Sequence, residues 1–192
     1  SQGIACSLSH PYGAGVAETM KNVVLIGFMG TGKSSVGRLL AMRLGCAFHD
    51  LDKKIEETCG ISIPQMFAQH GEPYFRAREK EAVRAAAARS GLVIATGGGT
   101  VKDAENVALL RSSGILVALT ADVDTILCRT AARGARPVLD GADAGDRRAA
   151  VVRLLEERRA LYEGADIAVD TSCRSPLEVA EYIVQATRIW RK

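Results

Sequence analysis

The stretch that decides the fold of this 192-residue chain reads Gly27-Phe28-Met29-Gly30-Thr31-Gly32-Lys33-Ser34. It fits the pattern G-x-x-x-x-G-K-[ST], in which backbone N–H groups and a lysine surround phosphate groups. An uncharged, β-branched run at 23–26 precedes it, and apolar residues follow at helical spacing. The loop is therefore expected to join a buried strand to a helix N-terminus. The alternative, a chance glycine turn, is disfavoured because both flanks fit.

The residues of this loop have distinct chemical uses. Glycines let N–H groups converge on phosphate oxygens, and the helix dipole favours an anion at the same place. Lys33 adds a mobile positive charge, and the Ser34 hydroxyl is suited to ligate Mg²⁺. The predicted nucleotide-binding residues here are Gly30, Thr31, Gly32, Lys33, Ser34 and Ser35.

Composition limits the class of protein. With 192 residues, 47% of them apolar, the chain can bury one substantial core. We predict one domain at 20–192, and we set residues 1–19 apart as an N-terminal extension or an expression remnant. The balance of 25 basic and 22 acidic residues gives no reason to expect nucleic acid as a partner.

The cysteines and the hydropathy pattern bear on location. The five cysteines are widely spaced without a C-x-x-C pair, which favours a reducing cytoplasm over a disulfide framework. No uncharged stretch approaches the roughly 20 residues that span a bilayer. We therefore expect a cytoplasmic protein with no membrane partner.

Strand and helix patterns alternate along the chain. Strands are predicted at 23–26, 46–49, 92–95, 115–119 and 167–169. Helices are predicted near 32–44, 52–59, 62–69, 72–89, 103–112, 122–131, 146–163 and 176–190. This order indicates an α/β fold with a five-stranded parallel sheet covered by helices on both faces. A stretch rich in Gly, Asp and Arg at about 132–146 is predicted to be a mobile lid.

The phosphate loop alone does not separate a switch GTPase, an ATPase motor and a small-molecule kinase. The guanine-reading N-K-x-D sequence is absent, and the chain is too short for a typical motor. Asp50-Leu51-Asp52 directly follows a predicted strand, at the edge where ligands bind in open α/β sheets. This favours a small-molecule kinase.

Further motifs narrow the class. They are Gly71-Glu72-Pro73-Tyr74-Phe75-Arg76-Ala77-Arg78-Glu79, Gly97-Gly98-Gly99, Arg136-Pro137-Val138-Leu139, Arg158 with Leu161-Tyr162, and Val169-Asp170-Thr171. With these motifs the chain, from about Lys21 to its C-terminus, resembles the shikimate kinase family. The resemblance implies a single-domain P-loop kinase of the nucleoside monophosphate kinase-like type. Its implied reaction is ATP-dependent phosphorylation of the 3-hydroxyl of shikimate, giving shikimate 3-phosphate and ADP in aromatic amino-acid biosynthesis. Mg²⁺ as cofactor, ATP and shikimate as substrates, and a monomer are expected.

The resemblance also implies roles for residues. Lys33, Asp52 and Arg136 would be catalytic, with Arg136 a lid arginine that reaches the phosphates. Arg76 and Arg158 would hold the substrate carboxylate, a task that suits planar cations. Asp52 would accept hydrogen bonds from ring hydroxyls beside Gly97, Gly98 and Gly99.

Other implied roles are less specific. Ser34 and Asp50 would hold Mg²⁺, Asp50 through water. Arg129 and Arg174 would stack on adenine, with solvated surface arginines as the alternative. Glu79 could fix Arg76, or the two could form a solvated pair.

Departures from the family pattern leave alternatives open. Ala160 stands where the family commonly has proline, which leaves open whether Arg158 or the adjacent Arg159 binds substrate. The two rival functions are a related metabolite kinase, such as a gluconate kinase, and a non-enzymatic relative.

Overall fold

The computed structural model of the protein describes residues 20–131 and 144–190. The five strands are β1 (Asn22–Gly27), β2 (Ala47–Asp50), β3 (Leu92–Ala95), β4 (Gly114–Thr120) and β5 (Ile167–Asp170). The helices are α1 (Lys33–Leu44), α2 (Leu51–Cys59), α3 (Ile63–His70), α4 (Glu72–Ala87), α5 (Ala104–Ser113), α6 (Val123–Ala131), α7 (Ala144–Glu163) and α8 (Pro176–Ala186), with a short 3-10 helix at Thr100–Lys102.

The strands form one parallel sheet in the order β2-β3-β1-β4-β5. Side chains alternate across each strand, so β1 contributes to two apolar clusters. Val24 and Ile26 belong to a cluster with residues of α4 to α7, whereas Val23 and Leu25 belong to one with residues of α1 and α8. Helices therefore cover both faces, and the predicted five-stranded parallel fold is confirmed.

Two buried contacts connect β1 and α1 to neighbouring parts of the sheet. Asn22 is fully buried, and its side chain donates to Arg89 O (2.7 Å) and accepts from Leu92 N (2.9 Å). Gly37 lets α1 lie against Phe48 of β2, because a Cβ atom at that position would come 2.4 Å from the Phe48 ring. These contacts hold β1, the phosphate loop and α1 in register with the neighbouring strands.

The helix boundaries predicted from the sequence differ from those of the structure mainly in the C-terminal half of the chain. The predicted helix 176–190 ends at Ala186, where Thr187 N donates to Gln185 O and Ile183 O and the following residues form turns. The predicted lid at about 132–146 overlaps α7, whose first turn contains residues 144–146. The rest of the lid, with Arg136, lies outside the described residues, as does the predicted extension at 1–19.

None of the helices within 20–131 and 144–190 is both long and apolar enough to span a membrane.

Candidate active site

The phosphate loop lies between β1 and α1, and the Lys33 side chain bonds two backbone carbonyls at the start of the loop. The Lys33 ammonium donates to Gly27 O (2.6 Å) and Phe28 O (2.8 Å). Gly30 and Gly32 have φ values of 78° and 98°, in the left-handed region that favours glycine. Successive backbone N–H groups in such a glycine-rich loop can bind phosphate oxygens.

Ser34 and Asp50 meet at the start of α1 and the end of β2. The Ser34 hydroxyl donates to Asp50 Oδ2 (2.8 Å), while Asp50 Oδ1 caps α2 by accepting from Lys53 N (3.3 Å). Their oxygens suit Mg²⁺, which prefers hard ligands and keeps several waters. In the described part of the chain no group of three or more His, Cys, Asp or Glu could enclose a metal. A bound Mg²⁺ would therefore need water and phosphate oxygens to complete its shell.

A cavity of about 240 Å³ adjoins the loop at the carboxyl edge of the sheet. Lys33 and Ser34 of the phosphate loop line it, as do Asp50 and Asp52 of the Asp50-Leu51-Asp52 motif. The complete lining is Met29, Gly30, Gly32, Lys33, Ser34, Asp50, Asp52, Lys53, Thr96, Gly97 and Gly98. The structure thus brings the predicted phosphate and metal residues together with Asp52.

The turn Gly97–Gly99, which follows β3, lies against the three predicted substrate-binding side chains. A Cβ atom would lie 2.8 Å from Asp52 Oδ1 at residue 97, 3.4 Å from Arg158 Nη1 at residue 98 and 2.7 Å from Arg76 Nη2 at residue 99. Side chains on this turn would therefore crowd all three groups. The glycines allow one carboxylate and two guanidinium groups to surround a single turn.

Arg76 is fixed by a buried carboxylate. Its Nη1 donates to Glu79 Oε1 (2.8 Å), and Glu79, only 2% exposed, also accepts from the Thr100 hydroxyl at 2.9 Å. Burial lowers the pKa of Arg76, but Glu79 and Glu72 together raise it above its ordinary value. The guanidinium is thus held both charged and oriented, and the solvated-pair alternative for Glu79 does not apply.

Arg158 and Arg159 occupy opposite environments on α7. Arg158 is 6% exposed, donates to Gly98 O (3.0 Å) and lies over the Phe28 ring. The side chain of Arg159 is 68% exposed and pairs only with acidic residues of its own helix among the described residues. Arg158 is therefore the arginine that reaches the site. Its neighbour Tyr162 also donates to Gly98 O (3.0 Å), and burial raises the pKa of that phenol.

Arg129 and Arg174 line a second cavity, of about 190 Å³, beside the start of α1. Arg129 Nη1 donates to Gly30 O (3.2 Å) and to the Thr171 hydroxyl (3.0 Å), and its Nη2 donates to Thr171 O (2.8 Å). Arg174 lies over the Tyr182 ring, 5.2 Å from its centroid. Both arginines therefore adjoin one space next to the loop, where the predicted adenine contact stays a prediction.

Three polar residues of the site had no role assigned from the sequence. Thr100 supports Glu79, Tyr162 supports the Gly98 carbonyl, and Thr171 contacts the phosphate loop. The motif Val169-Asp170-Thr171 gave the only signal for Thr171. The other two depend on contacts over 21 and 64 residues of sequence, which no local pattern predicts.

The parallel sheet, the phosphate loop and the carboxylates after β2 define a P-loop kinase that acts on a small molecule. A family model, Shikimate kinase, matches residues 29–188. A shikimate kinase of Geobacter metallireducens is 47% identical over 165 residues, which are 86% of this chain and 90% of that protein. The chain belongs to the shikimate kinase family, and the family and enzyme class predicted from the motifs are confirmed.

Solved structures agree with this assignment. The shikimate kinase from Acinetobacter baumannii in complex with shikimate has a TM-score of 0.84 and 36% identity, covering 91% of this chain and 96% of that one. A gluconokinase from Sinorhizobium meliloti, a member of the rival class, has a TM-score of 0.53 and 18% identity, covering 91% and 95%. The second likeness shows a common fold only.

Proposed function

We propose that this protein transfers the terminal phosphoryl group of ATP to the 3-hydroxyl of shikimate, giving shikimate 3-phosphate and ADP. The observation that carries the proposal is the turn Gly97–Gly99, with Asp52, Arg158 and Arg76 each against one of its glycines. A small ring with one carboxylate and several hydroxyls needs this set of groups.

Each side chain has a distinct part in the proposed reaction. Arg76 and Arg158 bind the substrate carboxylate through charge-assisted hydrogen bonds, and Glu79 keeps Arg76 in position. Asp52 accepts a hydrogen bond from the reacting hydroxyl and takes its proton late, because phosphoryl transfer has a loose transition state. Positioning therefore contributes more than basicity.

The phosphate side of the site is formed by the loop and Lys33. The Lys33 ammonium, which contacts Gly27 O and Phe28 O, is within reach of a phosphate bound in the loop and would stabilise its charge. Ser34 and Asp50 would hold Mg²⁺ through oxygen donors and water. When bound, Mg²⁺ would neutralise charge on the phosphates. The lid role of Arg136 stays a prediction from the sequence.

The predictions on oligomeric state, location, partners and adenine contacts also remain proposals. We propose a monomeric, cytoplasmic enzyme that has no nucleic acid or membrane partner. Its Arg129 and Arg174 would contact the adenine of ATP, since both line the cavity beside Gly32 and Ser35.

A coupled assay of ADP release tests the function. Shikimate should support turnover, whereas gluconate, quinate and a blank without acceptor should not. Shikimate methyl ester, which lacks the charged carboxylate, should require a much higher concentration. Phosphorus NMR of the product should give a phosphate ester coupled to the ring proton at C3. Equal ADP release with and without shikimate would refute the proposal.

A further inference from the structure

We infer that the Thr171 hydroxyl is a positioning group for ATP, acting through the Thr31–Gly32 peptide of the phosphate loop. The inference rests on the proposed function and adds a residue to its nucleotide site. Thr171 follows β5, is 2% exposed and lies 140 residues from the loop in sequence. Its place at the carboxyl edge of the sheet brings it beneath the loop.

The hydroxyl has two acceptors within reach but only one proton to donate. Thr171 Oγ1 lies 2.8 Å from Thr31 O and 3.1 Å from Thr120 O. Thr120 O already accepts the Thr171 backbone N–H at 2.8 Å. The shorter distance assigns the proton to Thr31 O.

Arg129 fixes the direction of that proton. Its Nη1 donates to Thr171 Oγ1 (3.0 Å) and its Nη2 to Thr171 O (2.8 Å). Because the hydroxyl oxygen accepts from the guanidinium, its own proton must point elsewhere, towards the carbonyls. The same Nη1 lies 3.5 Å from Thr31 O, at the limit of a hydrogen bond. Among the described residues, Thr171 thus donates the shortest side-chain hydrogen bond to this carbonyl.

The bond to Thr31 O determines where the next N–H points. A trans peptide is planar, with its C=O and N–H on opposite sides. Since Thr31 O faces Thr171, the N–H of Gly32 points away from Thr171. Gly32 borders both the 190 Å³ cavity, which Thr171 also lines, and the 240 Å³ cavity, which Thr171 does not. Gly32 has no Cβ atom and a φ of 98°, so steric contacts restrict the orientation of this peptide less than they would at another residue. The hydrogen bond from the Thr171 hydroxyl therefore contributes to that orientation.

The test compares Thr171→Ser with Thr171→Ala, which differ by one oxygen, and adds Thr171→Val as an isostere. Calorimetry should give ADP binding about tenfold weaker in the Ala and Val variants, because the Thr31–Gly32 peptide, no longer held by the hydroxyl, must be ordered when the phosphates bind. The Ser variant should stay within about threefold of wild type, and shikimate affinity should be unchanged in all three. The KM for ATP should rise more than kcat falls.

Adenosine provides the control for a merely structural effect. It has no phosphates for the Gly32 N–H, and the Thr171 backbone oxygen still accepts from Arg129 Nη2 (2.8 Å) in both variants, so its affinity, measured by NMR titration, should be nearly the same in the Ser and Ala variants. Equal loss of adenosine and ADP binding, or equal ADP affinity in Ser and Ala, would overturn the inference. If the Thr171→Val variant does not fold, the comparison of Thr171→Ser with Thr171→Ala still tests the inference. A wild-type enzyme inactive on shikimate would refute the proposed function instead, whatever the ADP affinities.

Discussion

At the scale of single residues, burial separates two arginines that the sequence leaves equivalent. Arg158 and Arg159 are adjacent on α7, yet one contacts Gly98 and the other faces solvent. A helix turns by about 100° per residue, so neighbours point in different directions. The Arg158 Nε atom is buried and makes no hydrogen bond in the described structure, and its Nη1 donates to the neutral carbonyl of Gly98. A guanidinium in this setting gains most from an anionic ligand.

Replacing each arginine by lysine tests this difference. Arg158→Lys should weaken shikimate binding by about 1–3 kcal/mol, because an ammonium cannot reproduce the planar contact with a carboxylate. Arg159→Lys, the matched control, should bind shikimate like wild type. Calorimetry with shikimate and with ADP measures both. If the two variants bind shikimate equally well, Arg158 is not a substrate residue.

Asp52 gives a second prediction at this scale. Asp52→Asn should lower kcat by about 10² or more, since it removes a charge aimed at the reacting hydroxyl within a small cavity. Glu57→Gln on the same helix has an exposed side chain and serves as the control. Single-turnover measurements with both variants would separate chemistry from product release. A kcat for Asp52→Asn near that of wild type would remove Asp52 from the mechanism.

At the scale of elements, α4 and the start of α5 are joined by a group of ion pairs next to the proposed substrate site. Glu105 accepts from Lys80 (2.6 Å) and Arg84 (2.7 Å), and Asp103 pairs with Lys80 at 3.2 Å. These bonds from Lys80 and Arg84 lower the pKa of Glu105 from 4.5 to about 2. All the groups are partly or largely exposed, so salt should screen them.

This pKa shift predicts a pH dependence of stability. A carboxylate whose pKa is lower in the folded state stabilises the fold above its unfolded pKa, and the effect disappears as the pH falls through the folded pKa. Glu105→Gln should therefore melt slightly below wild type at pH 7. The difference should shrink as the pH falls from 4.5 towards about 2.

Thermal unfolding followed by circular dichroism across this pH range measures the effect. Added salt should reduce the difference at pH 7. In a Lys80→Met background, Glu105→Gln should cost less, because one partner is already lost. A difference that stays constant down to pH 2 would contradict the assignment of the shift to these ion pairs.

At the scale of the whole molecule, the sequence predicts local features such as strands, helices and the phosphate loop. It does not predict which distant segments contact one another. Strand and helix order follows from periodicity, and the phosphate loop follows from its own pattern. The meeting of Arg76, Asp52 and Arg158 around one glycine turn depends on the sheet order, which periodicity does not give. The family resemblance supplied those roles. The motif Val169-Asp170-Thr171 pointed to Thr171, but the contacts of Thr171 and Tyr162 could not be predicted, because each joins a side-chain hydroxyl to a backbone carbonyl of a distant segment.

The residues predicted to bind the two substrates lie on different elements. The predicted shikimate residues lie on α2, α4, α7 and the turn after β3. The predicted nucleotide residues within the described ranges lie on the β1–α1 loop, at the start of α1, on α6 and between β5 and α8. Both sets meet at the carboxyl edge of the sheet. Because each ligand is proposed to contact its own set of elements, we expect damage to one set to leave binding at the other largely intact.

Ligand-induced stabilisation tests this division in the intact protein. A ligand at 100 times its Kd adds about 2.7 kcal/mol, which raises the melting temperature of a domain of this size by roughly 5–10 °C. Lys33→Ala should lose most of the shift with ADP and keep the shift with shikimate. Arg76→Lys, at the same fixed ligand concentrations, should do the reverse. Lys54→Ala, which changes an exposed lysine, should keep both shifts. Loss of both shifts in either variant, with an unchanged melting temperature without ligand, would mean that the two substrates do not bind to separate parts of the molecule.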